Sequence, residues 1–368
     1  MIKFFSKKNE YIKKKKIYLR IVDNILKKGI YTNGPSVKLF EKNFAEFNKA
    51  KYCVTTNSGT SAINLALKVL GIKKDSEVLM PSVSFIATPA ATIYAGLVPV
   101  FVDVNNKDWL INVEEIEKKI TSKTRCIMPV HLHGLMADMK KIHLIAKKYN
   151  LKVIEDASQA HGSKYFGKNP GFYSDIACFS FYPTKTLGAY GEGGAIITNN
   201  YNIYKKALLY RDWCKTLDMK NFYDIGFNYR MPEITGALLL QDIKVLKNNI
   251  KKRIRIAEFY KKNLRIKNFV YYDVKNYVHS YYVFAVRVKN REKLRKILIS
   301  EGIETNITYP YCLPYTNPFR IKKEVNSKLF NVGYLYSKET ISLPLYPELR
   351  LHQVKHIIKT FNKYAEFI

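Results

Sequence analysis

Residues 153–162 read Val-Ile-Glu-Asp-Ala-Ser-Gln-Ala-His-Gly: an apolar run, two carboxylates, then small residues. β-Branched Val153 and Ile154 suit a strand, and the pattern predicts one over Leu151–Glu155 leading into Asp156. In open α/β sheets, ligands bind beyond the carboxyl ends of the strands. Asp156 would stand at that edge, although an Asp before small residues also suits a helix N-cap. On the N-terminal side, strand-like and helix-like segments alternate. Strands are expected at Tyr52–Thr56, Glu77–Met80, Val98–Val104 and Arg125–Val130. Helices are expected at Ser61–Leu70, Phe85–Tyr94, Val113–Lys119 and Met139–Tyr149, with Gly71 and Gly96 closing the first two. Pro81 is read as closing the second strand. On the C-terminal side, Ile176–Ser180 and Gly194–Thr198 read as strands flanking a Gly-rich loop. Strands separated by helices imply βαβ units and a mainly parallel sheet.

From Glu233 the pattern changes to one long amphipathic helix, reaching about Asn263. A strand at Tyr281–Val288, a helix at Arg291–Ser300, a Pro- and Tyr-rich loop at Tyr309–Pro318 and a helix from about Leu351 follow. This reads as a large α/β domain over residues 1–245, with an N-terminal helical segment, and a smaller α+β domain over 246–368. No repeat or low-complexity linker separates them, so close packing is expected.

Composition narrows the function classes. The 368 residues are 47% hydrophobic and 25% charged, which excludes a disordered chain and suits about two domains. Sixty-two Lys+Arg against 30 Asp+Glu give a net charge of +32. The excess is mostly Lys doublets such as Lys140-Lys141, Lys147-Lys148 and Lys205-Lys206, placed where helices turn a polar face outward. A nucleic-acid site would concentrate charge with aromatics or Arg, so none is expected, while the positive field would steer an anionic substrate. Apolar runs are too short to span a membrane and no signal core follows Met1, so a cytoplasmic protein is expected. Five scattered cysteines without C-x-x-C spacing argue against disulfides or structural zinc. His131 and His133 would point the same way on a strand, but no cluster completes a metal site there.

Three further segments carry chemistry. Asn57-Ser58-Gly59-Thr60-Ser61 lies between a strand and a helix, where free backbone N–H groups suit a phosphate; it is also an ordinary turn and cap. Cys178-Phe-Ser180-Phe-Tyr182-Pro-Thr-Lys185-Thr-Leu-Gly-Ala-Tyr190-Gly-Glu192-Gly-Gly194 sets one lysine among aromatics and glycines. A lysine drawn out of water gives up its proton readily and can form a Schiff base. Gly226-Phe-Asn228-Tyr-Arg230-Met-Pro-Glu233 is a polar loop entering the long helix. A phosphate cradle, a carboxylate at a strand end and then a lysine are the parts that a pyridoxal phosphate enzyme requires.

The Ser-Phe-Tyr-Pro-Thr-Lys, Glu-Asp-Ala-Ser-Gln-Ala-His-Gly and Asn-Tyr-Arg-Met-Pro-Glu strings together resemble the DegT/DnrJ/StrS family of sugar aminotransferases. The resemblance extends from Gly29–Gly34 to Ser342–Pro347, nearly the whole chain. It implies an aspartate aminotransferase-type fold (PLP fold type I) with a seven-stranded-type sheet, pyridoxal 5′-phosphate as cofactor, and L-glutamate and a nucleotide-linked keto-sugar as substrates. By resemblance, Lys185 carries the cofactor as a Schiff base and Asp156 pairs with its ring nitrogen. Gln159 would contact the ring hydroxyl, and Phe85 would stack on the ring. Ser58, Gly59, Thr60 and Ser180 would surround the phosphate. Asn228 matches a residue given across a dimer interface to the neighbouring cofactor, which implies a homodimer with shared sites. Some family members carry His at the lysine position and dehydrate sugars; Lys185 favours transamination. One departure concerns the small domain: where many relatives have His-Tyr-Pro and a second His near the sugar nucleotide, this chain has Thr308-Tyr-Pro-Tyr-Cys-Leu-Pro314. Substrate identity is the property this leaves open, with 4-keto sugars favoured over 3-keto sugars.

Overall fold

The computed structural model describes residues 1–266, 276–319 and 329–366. Seven strands form the central sheet: β1 (Tyr52–Thr56), β2 (Glu77–Pro81), β3 (Val98–Val102), β4 (Thr124–Ile127), β5 (Lys152–Asp156), β7 (Ile176–Ser180) and β8 (Gly194–Thr198). Their order is β1-β8-β7-β5-β4-β2-β3. Between β5 and β7 a two-residue strand, β6 (Lys164–Tyr165), turns away to pair with β9 (Tyr277–Val278).

Strand direction decides where the site can form. β3, β2, β4, β5 and β7 are mutually parallel, while β8 is antiparallel to both β7 and β1. β1 therefore runs the same way as β5 and β7. All three release the chain at one edge, at Asn57, Ala157 and Phe181. Alternation then sorts the side chains. Val78, Met80, Ile154, Ile176 and Cys178 join one hydrophobic cluster, under α3 (Gly59–Val69), α4 (Ala87–Tyr94) and α7 (Tyr201–Arg211). Leu79, Ile127 and Val153 join a cluster on the other face, as do Ala177 and Phe179. Burial on both faces explains why β7 and β8 read as unbroken apolar runs.

The opposite face is covered by α2 (Pro35–Phe47), by α5 (Val113–Lys119) and α6 (Met139–Lys148), and by the 31-residue α8 (Glu233–Asn263). Ahead of these, α1 (Lys8–Lys28) packs on α8, where Lys14 and Tyr18 both bond Asp242. Residue 245 lies inside α8, which continues unbroken into the C-terminal part. That part comprises α9 (Arg291–Ser300), α10 (Asn331–Glu339), α11 (Leu351–Tyr364) and the antiparallel pair β10 (Phe284–Arg287) and β11 (Thr340–Leu343). One cluster joins Leu79, Val102 and Trp109 to Phe284, Tyr336 and Phe361, so the two parts share a core. The chain's first residues add to the C-terminal part, because Ile2 bridges Ile303.

Several expected boundaries move for identifiable reasons. α3 begins two residues early, at Gly59, because Ser58 caps it by accepting the Ser61 amide at 3.0 Å. Pro81 is the last residue of β2 rather than its terminator. The strand expected to Val130 stops at Ile127, and Val130 bridges Asp156 alone. The strand expected over Tyr281–Val288 forms only at Phe284–Arg287, after Tyr281 turns with φ 49°. His131 and His133 lie at a 3-10 turn, not on a strand, and His133 takes φ 60°. Their rings diverge: His131 Nε2 meets Glu155 Oε2 at 2.6 Å, and His133 Nε2 meets the Tyr336 hydroxyl at 2.9 Å.

Candidate active site

A cavity of about 590 Å³ opens at the edge where β1, β5 and β7 end. Ser58, Gly59, Thr60, Phe85, Asp156, Gln159, Ser180 and Lys185 all line it, joined by Thr88, Tyr182, Thr184, Tyr282, Tyr309 and Tyr311. The size falls within the ~300–1,000 Å³ typical of small-molecule sites.

Alternation along β5 and β7 explains the convergence. Asp156 shares a face with Ile154, and Ser180 shares one with Cys178, so both look toward α3 and α4. Asp156 is buried; its Oδ2 accepts from the Thr88 hydroxyl at 2.9 Å and its Oδ1 from the Ser158 amide at 3.1 Å. Two donors hold the carboxylate in one orientation and leave lone pairs on both oxygens for a ligand. Glu155 points to the other face, where Gly171 N and Ser174 Oγ bond it besides His131. His161 also lies away from the cavity, among Phe44, Phe179 and Phe181, and burial lowers its pKa to about 3.

The phosphate turn is built by close approach. Ser58 Oγ takes the Ser61 amide, and the Ser61 hydroxyl bonds Asn57 Oδ1 at 2.6 Å. The amides of Gly59 and Thr60 have no helical carbonyl within reach, as at any helix start. A Cβ on Gly59 would stand 2.6 Å from Ser180 Cβ, and one on Gly194 would stand 2.2 Å from the Ser58 carbonyl oxygen. Both glycines are therefore required for β7, β8 and the turn to meet. Gly59→Ala is expected to weaken retention of a phosphorylated ligand about ten-fold, since overpacking costs roughly 1–3 kcal/mol. Titration of the apoprotein with cofactor measures this; unchanged affinity would remove Gly59 from the cradle.

Lys185 follows a sharp turn in which its amide bonds the Tyr182 carbonyl at 2.8 Å. It is half-buried, its Nζ lies 4.8 Å from the Tyr282 ring centroid, and it makes no ion pair among the described residues. The Tyr282 hydroxyl meets Thr184 Oγ1 at 3.1 Å, which ties this wall to the C-terminal part. Phe85 is 53% exposed and stacks at 6.0 Å on Tyr309.

One expected residue stands apart. Asn228 is exposed and does not line the cavity; Arg230 bonds its Oδ1, and its carbonyl accepts from Asn57 Nδ2 at 3.1 Å. Residues not singled out by sequence include Thr88, Tyr282 and Tyr309. Thr88 was within reach, because it follows Phe85 by three positions in the helix expected over Phe85–Tyr94. Tyr282 was not, because only tertiary folding brings it here, and the segment of Tyr309 was read only as matching a stretch near the sugar nucleotide. Among the described residues, no three His, Cys, Asp or Glu side chains could hold a metal ion.

Residues 13–362 match the DegT/DnrJ/EryC1/StrS aminotransferase family. The chain belongs to that family. It is 37% identical over 341 residues to GDP-perosamine synthase of Escherichia coli O157:H7, covering 91% of this chain and 92% of that one. It is 36% identical to dTDP-3-amino-3,6-dideoxy-α-D-galactopyranose transaminase of Aneurinibacillus thermoaerophilus, over 99% and 100% of the two chains. NtdA of Bacillus subtilis, solved with bound cofactor PMP, superposes with a TM-score of 0.84 at 32% identity, over 93% of this chain and 80% of that one. The protein is a pyridoxal-phosphate-dependent sugar aminotransferase with the fold that the resemblance implied. Its cavity suits that cofactor: a glycine cradle at a helix start, a buried carboxylate with free lone pairs, a lysine amine with no ion pair among the described residues, and an exposed aromatic side chain.

Proposed function

We propose that this aminotransferase moves the amino group of L-glutamate to a nucleotide-linked keto-sugar, 4-keto in preference to 3-keto. The observation that carries the reading is the single cavity that Lys185, Asp156 and the Ser58–Thr60 turn share. When bound, the cofactor supplies an electron sink that makes the Cα–H bond of an amino acid acidic. Lys185 would move the protons: as free amine, from the donor's Cα to the cofactor in the first half-reaction, and from the cofactor to the sugar carbon in the second. Asp156, anchored by Thr88 and Ser158, would hold a proton on the ring nitrogen. Gln159 would hold the ring hydroxyl, Phe85 would cover the ring, and Ser58, Gly59, Thr60 and Ser180 would hold the phosphate. Lys185, in the position where dehydrating relatives carry His, supports amine transfer over sugar dehydration.

Preference for the 4-keto class rests on Asn228-Tyr229-Arg230-Met231 and on the likeness to GDP-perosamine synthase. The 3-amino-sugar transaminase at 36% identity keeps the 3-keto class as the second reading. The positive surface would draw in an anionic nucleotide sugar, because the Lys doublets of α6 are exposed. Asn228, exposed beside the Asn57 turn, supports a homodimer in which it serves the cofactor of a second copy. A large unit over residues 1–245 and a small one over 246–368 form the walls of the cavity in this reading. The product would serve a surface polysaccharide or glycan, and the enzyme would act in the cytoplasm on soluble precursors.

The half-reaction tests this directly. L-Glutamate is expected to bleach the visible absorbance of the holoenzyme, and a nucleotide-linked 4-keto sugar to restore it. Restoration by 3-keto sugars alone would move the site of amination to carbon 3. A band that glutamate never bleaches would sink the donor assignment.

A further inference from the structure

Behind Gln159 lies a closed hydrogen-bond circuit. Gln159 Oε1 accepts from the His133 amide at 2.7 Å, and its Nε2 donates to the Tyr309 hydroxyl at 2.6 Å. His133 Nε2 meets the Tyr336 hydroxyl at 2.9 Å, and that hydroxyl donates to the Thr308 carbonyl at 2.6 Å. Thr308 precedes Tyr309, so the circuit returns to Gln159. It joins the end of β5, the turn at residues 131–134, α10 and the loop at 308–309.

Proton directions in the circuit are forced. A backbone N–H only donates, so the Gln159 carbonyl must face His133 and its amide nitrogen must face Tyr309. Tyr336 gives its one proton to Thr308, so its oxygen receives the His133 Nε2–H. Burial lowers the His133 pKa to about 3, so the ring is neutral and carries its single proton on that nitrogen. The Tyr309 oxygen already accepts from Gln159, and its own proton has no acceptor among the described residues. Tyr309 and Gln159 both line the cavity. Burial and the nearby Asp156 charge raise the pKa of the Tyr309 phenol well above its ordinary value, which keeps that proton in place.

Two members of the circuit sit in left-handed backbone, His133 at φ 60° and Tyr309 at φ 65°. Residues with a side chain rarely adopt it, and it persists where surrounding contacts over-determine it. These are also the two residues that bond Gln159. In His133 the strained backbone supplies the amide that orients Gln159, and in Tyr309 it presents the phenol.

We propose that Tyr309 is a second hydrogen-bond donor to the cofactor, aimed at the same ring oxygen as Gln159. His133 and Tyr336 are the positioning residues that set this donor pair. The inference rests on the assignment of Gln159 to the ring hydroxyl. A donor at that oxygen stabilises its anionic form, and so lowers the pH at which the lysine-linked cofactor gives up its proton.

The test is a pH titration of the visible absorbance of the holoenzyme, without substrates. Tyr309→Phe is expected to raise the midpoint by about one pH unit, the scale of a lost hydrogen bond to a charged group. Tyr336→Phe, remote from the cofactor, is expected to raise it by less. Thr60→Ala, on the phosphate side, should weaken cofactor binding without moving the midpoint. A cofactor-loaded Tyr309→Phe protein with the wild-type midpoint overturns the donor role. An unmoved midpoint in Tyr336→Phe overturns the positioning role. If that variant does not fold, His133→Asn tests the same link, since Asn tolerates the left-handed backbone. Gln159→Leu with unaltered absorbance and midpoint would instead overturn the assignment beneath the inference. Failure of the aminotransferase reading would show separately, as wild-type protein indifferent to glutamate.

Discussion

Lys185→Ala is expected to lose turnover by more than about 10⁴-fold, because two functions leave with one amine. The first is the covalent anchor for the cofactor, which Lys185 supplies from a turn pinned by its own amide to the Tyr182 carbonyl. The second is the base that moves the Cα proton, and no neighbour can replace it. Asp156 serves the ring nitrogen in this reading, burial keeps the Tyr309 phenol protonated, and Tyr282 is bonded to Thr184. The fold should survive, since Lys185 is half-buried and makes no ion pair among the described residues. Product amine is measured with excess cofactor, beside a thermal melt. Added methylamine should restore a small part of the rate if the missing group is a base. Substantial turnover without it would sink the role of Lys185.

That prediction was open to a reader of the sequence, because the site's chemistry lies in short strings whose local structure is local in origin. β1, β7 and β8 form over the residues that alternation or apolar runs indicate, and α5 and α9 likewise. Ser180 ends β7, and Ser58 and Lys185 follow β1 and β7 closely in sequence. Direction was harder to read. Nothing in Gly194–Thr198 says that β8 runs against β7, yet that reversal brings the end of β1 to the edge where β5 and β7 end. β11 escaped because its partners are distant: its four residues pair with β10, more than fifty positions away, and Ser342 also bridges Asn306. The H-x-H pair misled because periodicity assumes extended backbone, and tertiary bonds to Glu155 and Tyr336 hold these histidines in a turn. Of the far wall of the cavity, Tyr282 read as part of a strand, and Tyr309 as part of a loop that the resemblance associates with the sugar nucleotide rather than with the cofactor. Long-range packing, not local pattern, makes them part of a site.

Asp156→Asn separates binding from chemistry. The amide keeps the size of the carboxylate, and its surroundings can accept the exchange. The Ser158 amide is an obligatory donor, so Oδ1 of the new side chain stays there. Nδ2 then faces Thr88, whose hydroxyl can turn to accept from it and donate to Ser84 Oγ, 2.7 Å away. The cradle at Gly59 and Ser180 is untouched, so cofactor affinity should change little. What is lost is the negative charge that holds a proton on the ring nitrogen. The rate should fall by about 10²- to 10³-fold, the scale of removing one fixed electrostatic partner from a reacting group. The loss should appear in kcat for both half-reactions, since each moves a proton at carbon with the same electron sink. A variant that binds cofactor and turns over at the wild-type rate would count against the charge of Asp156. A variant that fails to bind cofactor would assign Asp156 to holding the ring rather than activating it. Thr88→Val discriminates further: it removes one of the two donors that fix the carboxylate but keeps the charge. It should therefore cost less than Asp156→Asn in kcat, and a cost as large would mean that orientation of this carboxylate matters as much as its charge.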